Sequence, residues 1–147
     1  MSKRPAKPED YPWIVPSLTV KDPDAALAFY QKAFGFEKKM SMPGPDGKTM
    51  HAEVSWRGQV VMFGAEGPQN PCKAPVTLGV RPPAGLYVYV DDVDALFKRA
   101  TAAGAKVDRA PADMFWGDRV CSLIDPDGHV WGFGTNVGEF DPAKAPK

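Results

Sequence analysis

Apolar residues recur along the chain at two spacings. Ala26, Phe29, Tyr30, Ala33 and Phe34, and again Val93, Leu96, Phe97 and Ala100, fall at i, i+3, i+4 and i+7, the period of one helix face. Asp22 and Asp92 precede these stripes as N-cap candidates, Pro23 suits the first helical position, and Gly35 and Gly104 are C-terminal stops. Elsewhere the pattern is a strand pattern broken by turn residues. "HAEVSWRGQVVMFG" reads as a hairpin turning at Arg57-Gly58, and "RVCSLIDPDGHVWGFG" as one turning at residues 125–128.

The two halves repeat each other. "LTVKDPDAALAFYQKAFGFEKK" from Leu18 lies over "VYVDDVDALFKRATAAGAKVDR" from Val88, with Val20 on Val90, Asp22 on Asp92, Asp24 on Asp94 and Ala25 on Ala95. Gly35 meets Gly104 after a slip of one residue. The hairpin endings "VMFG" and "WGFG" make Met62 and Gly132 equivalent. The chain therefore reads as one α+β domain over 1–147 containing two βαβββ units, 13–64 and 85–135. Between them, 65–84 is a Pro/Gly-rich linker with a short extended piece at 76–78; residues 136–147 are a flexible tail. Such sheets turn an apolar face to the helix and leave the other face free, so two curved sheets facing each other enclose a cleft.

Charge narrows the partners. Eighteen basic and eighteen acidic residues cancel, which removes the electrostatic case for nucleic acid or an anionic membrane. No window approaches a membrane span, and "MSKRPAKPED" lacks the apolar run of a signal peptide. Cys72 and Cys121 make no disulfide framework, and neither has Cys or His at metal-ligand spacing. A reduced, cytoplasmic setting is expected.

The segments "TVKDPDAALAFYQKAFGF", "GLYVYVDDVDALFKRATAAGAKV" and "DMFWGDRVCSLIDPDGHVWGF" cover about positions 13–135. Together they resemble the vicinal oxygen chelate superfamily of glyoxalase I, the extradiol dioxygenases and the bleomycin-resistance proteins. "HAEV", "VYVDDVDALF" and "MFWGDR" place the likeness nearest the PhnB-like branch. The resemblance implies a half-barrel cleft of curved mixed sheets, a small-molecule ligand, and a homodimer, with exchange of units between subunits left open. Metalloenzymes of the superfamily carry one ligand on the first and last strand of each unit. Here those places hold Val15, Met62, Gly85 and Gly132, and a shift of one residue either way supplies no better set. A divalent cation needs three or four converging N, O or S donors. The expectation is therefore no metal and no cofactor, with room for a ligand over Gly132 and Gly85; the duller reading of Gly132 is a bend in the strand.

Alternation from these positions assigns the cleft face. It takes Ser17 and Thr19 from the first strand and Tyr87 and Tyr89 from the strand after Gly85. A two-residue turn at Arg57-Gly58 sets Glu53 opposite Met62 and His51 opposite Gly64, both toward the cleft. Pairing Asp125 with Gly128 sets Cys121 opposite Gly132 and puts Arg119 on the same face, while Phe115 and Trp116 lie on the loop at the mouth. His129 goes to the helix side as a turn residue. The expected ligand site is thus Ser17, Thr19, Met62, Tyr87, Tyr89, Phe115, Trp116, Arg119, Cys121 and Gly132, with His51 and Glu53 as the candidate catalytic pair.

This set suits metal-independent binding of a planar or aromatic molecule, stacked on the aromatic walls with Arg119 pairing an anionic group. The alternative is a glyoxalase-like isomerase or lyase, with His51 and Glu53 as general base and Arg119 stabilising an enolate. A variant of it recruits a cation through His51, Glu53 and Asp118. A third reading is an interaction module whose cleft is filled by its own side chains. Structural roles stand beside these: Glu53 paired with His51 or Arg119, the tyrosines at a dimer interface, Trp116 as a loop anchor.

Overall fold

The structure, a computed structural model, describes residues 3–147. The chain divides into two compact units: the residues up to Gln31 with Gly35–Ala74, and Lys32–Phe34 with Pro75–Lys147.

The first unit runs β1 (Ser17–Val20), α1 (Pro23–Phe29), β2 (Glu37–Pro43), β3 (Thr49–Trp56) and β4 (Gln59–Ala65). Its sheet has the order β1-β4-β3-β2, with β1 and β4 parallel and the other pairs antiparallel. Asp22 starts α1 as expected, its Oδ1 accepting from the backbone N of Asp24 at 2.9 Å. The helix then continues as a single π turn, Tyr30–Phe34, closed by Gly35 at φ 72°. This turn explains the slip in the repeat. The first copy has one residue more between cap and stop glycine than the second, and a π turn absorbs an extra residue without moving either end. Arg57 at φ 48° and Gly58 at φ 80° are both left-handed, the hairpin turn whose twist matches that of its strands. Ala52, Val54 and Phe63 are buried on the helix side, where the Tyr30 ring meets Phe63 edge-on at 5.3 Å.

The second unit runs α2 (Pro75–Leu78), β5 (Leu86–Tyr89), α3 (Val93–Ala102), β6 (Lys106–Asp113), β7 (Asp118–Ile124) and β8 (Val130–Asn136). Its sheet has the order β5-β8-β7-β6, with β5 and β8 parallel. Asp92 caps α3 through the backbone N of Ala95 at 3.0 Å. Trp131 and Phe133 are fully buried, and the Phe34 ring packs on both at 5.2 and 4.8 Å. Both sheets are open, mixed and four-stranded, the α+β plan expected from the repeat.

Two segments differ from expectation. Residues 76–78 are not extended but form the helical turn α2, opened by Pro75 and anchored where Val76 N donates to Asp127 O at 3.0 Å. The residues after Thr135 are bonded rather than a free tail. Val137 N and Gly138 N donate to Gly117 O at 2.8 and 3.0 Å, and Asp141 N donates to Phe115 O at 2.8 Å before a 3-10 turn at Pro142–Lys144. Gly117, at φ 97°, is where this approach is closest: a Cβ there would stand 2.4 Å from Gly138 O. Among the described residues no helix is long and apolar enough to cross a membrane.

Candidate functional site

The second hairpin decides which side chains of β7 reach the free face. Asp125 N donates to His129 O at 3.0 Å, so Pro126, Asp127 and Gly128 form a three-residue loop. The Asp125 carboxylate imposes it. Oδ1 accepts from the backbone N of Asp127 and of His129, each at 3.0 Å, and Oδ2 accepts from Trp131 Nε1 at 2.9 Å. The expected pairing of Asp125 with Gly128 is thus corrected by one residue: Ser122, not Cys121, stands opposite Gly132, and Cys121 stands opposite Phe133. A slip of one residue turns every side chain of a strand over.

Cys121 and Arg119 therefore face the helix. Cys121 is fully buried, and that burial pushes its thiol up to about 11, the state of an inert core residue. Arg119 donates to Asp94 of α3 from Nε at 2.8 Å and Nη2 at 3.0 Å, and to Asp113 from Nη1 at 3.0 Å. His129 sits buried in the turn, where it was expected.

In their place β7 presents Asp118, Val120 and Ser122. Asp118 is buried, with Oδ2 accepting from the hydroxyls of Tyr87 and Tyr89, both at 2.8 Å, and Oδ1 accepting from Asn136 Nδ2 at 3.0 Å. The Asn136 amide, then the two phenols, hold its carboxyl below the usual carboxylate range against the opposing effect of burial. Burial, reinforced by the bond to Asp118, pushes the Tyr87 phenol up to about 12. Tyr87 and Tyr89 meet edge to face at 5.4 Å, and the Tyr87 ring lies over Gly132 and Gly134.

Beside this cluster opens a cavity of about 350 Å³, bounded by Tyr87, Trp116, Val120, Ser122 and Gly132, with Arg81, Asp108 and Arg109 at the rim. Arg81 holds Asp108 with two bonds, Nη1 to Oδ1 at 2.7 Å and Nη2 to Oδ2 at 2.9 Å. Ser122 Oγ adds a bond to Asp108 Oδ2 at 2.8 Å. These partners, Arg81 foremost, pull the Asp108 carboxyl down to about 2. Phe115 is not in the lining; its ring packs on Trp116 at 5.2 Å and on Phe140 at 5.9 Å.

The first unit's free face follows the expected register. Glu53 pairs with Met62, His51 with Gly64, Ser17 with Met62 and Thr19 with Gly64. Glu53 is only 3% exposed, its Oε1 lying 2.9 Å from His51 Nε2. Its Oε2 accepts from the Tyr11 hydroxyl at 2.5 Å, a bond that, with burial, pushes the Tyr11 phenol up to about 12. Lys39 sits 4.4 Å from the Tyr11 ring centre and pairs with Asp10, so the segment before β1 is strapped onto this face. Tyr11 escaped the sequence reading because that segment has no periodicity. Asp118 was considered only as an outside metal ligand, because the assumed register hid its face.

The resident cation of the superfamily's metalloenzymes does not fit these residues. Val15, Gly85 and Gly132 carry no side-chain donor and Met62 carries one weak thioether. Among the described residues no three His, Cys, Asp or Glu side chains come together to hold an ion.

Comparison with known proteins agrees with this architecture. The family model described as the Glyoxalase/Bleomycin resistance protein/Dioxygenase superfamily matches residues 12–133. An uncharacterised protein of Mycobacterium bovis is 41% identical over 133 residues, 88% of this chain and 87% of its own. The crystal structure of TioX from Micromonospora sp. ML1 matches with a TM-score of 0.67 at 32% identity, over 84% of this chain and 98% of TioX. TnmS3 from Streptomyces sp. CB03234, described as an antibiotic binding protein, matches with a TM-score of 0.63 at 28% identity, over 83% and 93%. With its two matching βαβββ units, the chain belongs to the glyoxalase/bleomycin resistance protein/dioxygenase superfamily.

Proposed function

We propose that the chain is a metal-independent binding protein for a planar, aromatic small molecule, held on the free face of the second unit's sheet. One observation carries the reading: a cavity of about 350 Å³ lined by Tyr87, Trp116, Val120 and Gly132, with a small polar set of Ser122, Arg81, Asp108 and Arg109. Small-molecule sites have this composition and size, apolar surface with a few orienting groups. A flat guest gains most from aromatic walls, because ring faces and edges attract beyond the area they bury. The antibiotic-binding description of TnmS3, at 28% identity, supports the same reading.

Titration with a panel of flat polycyclic antibiotics and aromatic metabolites, followed by tryptophan fluorescence, tests it. Saturable quenching is expected that is unchanged by EDTA, reduced in Trp116→Phe, and weakened roughly tenfold in Tyr87→Ala. A panel without saturable quenching, or quenching abolished by the chelator, refutes the proposal.

A general base at His51 and Glu53 is the second reading, supported by their 2.9 Å contact, in which Glu53 is buried and His51 partly exposed. The hold of Tyr11 on the second Glu53 oxygen weighs against it, since both carboxylate oxygens are engaged within the chain. The proposed assembly is a homodimer. Trp13 and Ile14, 79% and 84% exposed, form an apolar pair that a second copy would cover. Sedimentation equilibrium tests it, and a monomer at all concentrations overturns it.

A further inference from the structure

Across the second unit's sheet, paired residues line up in one row: Tyr87 on β5, Gly132 on β8, Ser122 on β7 and Arg109 on β6. With strands about 4.8 Å apart, the row runs about 14 Å from its aromatic end to its cationic end. Its two middle members are small, so the floor between the ends is low. The ladder of β6 is irregular at this point: Val107 pairs with Leu123 and Arg109 with Ser122, leaving Asp108 as an extra residue. A bulge re-aims the side chains of the strand that carries it. Here Asp108 and Arg109, though consecutive, both line the cavity.

The charges at this rim are unequal. Asp108 is engaged by both terminal nitrogens of Arg81 and by Ser122 Oγ. The Arg109 guanidinium has no hydrogen-bond or ion-pair partner among the described residues, and its charge helps to lower the Asp108 carboxyl. Two cations and one anion leave one positive charge, and the bidentate clasp on Asp108 leaves the Arg109 guanidinium available. The sequence had offered Arg119 for an anionic group, but Arg119 is taken up by Asp94 and Asp113.

We infer that the cavity selects an aromatic molecule bearing an anionic group, such as a carboxylate or sulfonate, with its rings against Tyr87 and the acid on Arg109. The inference rests on the aromatic-binding reading and names the ligand class of that same site. A guanidinium suits this role because its planar fork matches two acid oxygens. Arg81 is a positioning residue: by occupying Asp108 it keeps that carboxylate from capturing Arg109.

Isothermal titration with anthracene-2-carboxylate and its uncharged carboxamide tests the inference. The carboxylate should bind about tenfold more tightly at low salt, with the advantage shrinking as salt is added. Arg109→Gln, at an exposed position on an edge strand, should remove the advantage, so that the two compounds bind the variant with equal affinity. Equal affinities in the parent protein, or a preference that survives Arg109→Gln, overturn the anionic selectivity while aromatic binding stands. If neither compound binds, both readings fall.

Discussion

The Tyr87 ring lies against Gly134 so closely that a Cβ on the glycine would stand 2.6 Å from the Tyr87 hydroxyl oxygen and 3.1 Å from Cζ. At Gly132 the gap is wider, 3.3 Å to Cδ2. The glycines of "WGFG" form the bed of a tyrosine, and Asp118 holds that tyrosine down.

Gly134→Ala should expel the ring and break its bond to Asp118. The hydroxyl is the far end of a side chain and can swing clear, so the cost is chiefly the lost charge-assisted bond, about 1.5–3 kcal/mol. Gly132→Ala asks for a shift of only a few tenths of an ångström and should cost under about 1 kcal/mol. Urea denaturation of the two variants measures the difference; equal losses would mean that the ring is not pinned.

Asp118→Asn should release both phenols. Tyr89, whose rise is caused first by its bond to Asp118, should return toward the ordinary value of about 10. Tyr87 should fall only part of the way from about 12, because burial is its largest cause and remains. A phenol raised in the fold contributes stability that is complete below pH 10 and disappears as pH rises through about 12. The parent protein should lose stability over that window, and the variant less of it. Phenolate absorbance and denaturation across alkaline pH provide the check.

Acid should act on the rim. Asp108, held at about 2 in the fold against about 3.9 unfolded, contributes stability above about pH 5 that is lost as pH falls toward 2. Asp108→Asn should flatten that acid limb in a pH series of thermal melts.

Asp125→Ala should cost about 2–4 kcal/mol, because it strips acceptors from three buried donors at once. His129→Ala should leave ligand affinity unchanged, since the imidazole belongs to the turn. Chemical denaturation and ligand titration separate the two effects.

Tyr11→Phe should loosen the strap on the first unit by removing the hydroxyl that reaches Glu53. The expected loss is about 1–3 kcal/mol, with faster proteolysis before β1. Unchanged cleavage would show that Lys39 and Asp10 suffice to hold the segment.

Much of the fold was legible because local chemistry determines it. Asp22, Asp92, Gly35 and Gly104 mark the helix ends by capping and by left-handed backbone. Arg57-Gly58 permits one tight turn, and that alone places His51 and Glu53 on one face. Less of the site was legible. Tyr87 and Tyr89 were correctly placed on the free face, yet their partner Asp118 was not recognised. Arg119 and Cys121 were assigned to that face and lie on the other.

By itself the sequence determined the two-unit plan, the helix limits, the first hairpin's register and the side chains that stand at the superfamily's metal places, three of them without a donor. Each of these follows from residues a few positions apart, or from side chains that have no donor to offer. Only the tertiary structure decided which face of β7 turns away from the helix. That depends on whether the loop after Asp125 holds two residues or three, and the difference is made by a carboxylate that binds two backbone amides and the indole of Trp131 together. Strand parity amplifies that one-residue choice into a change of face along the whole strand, and no local pattern records it.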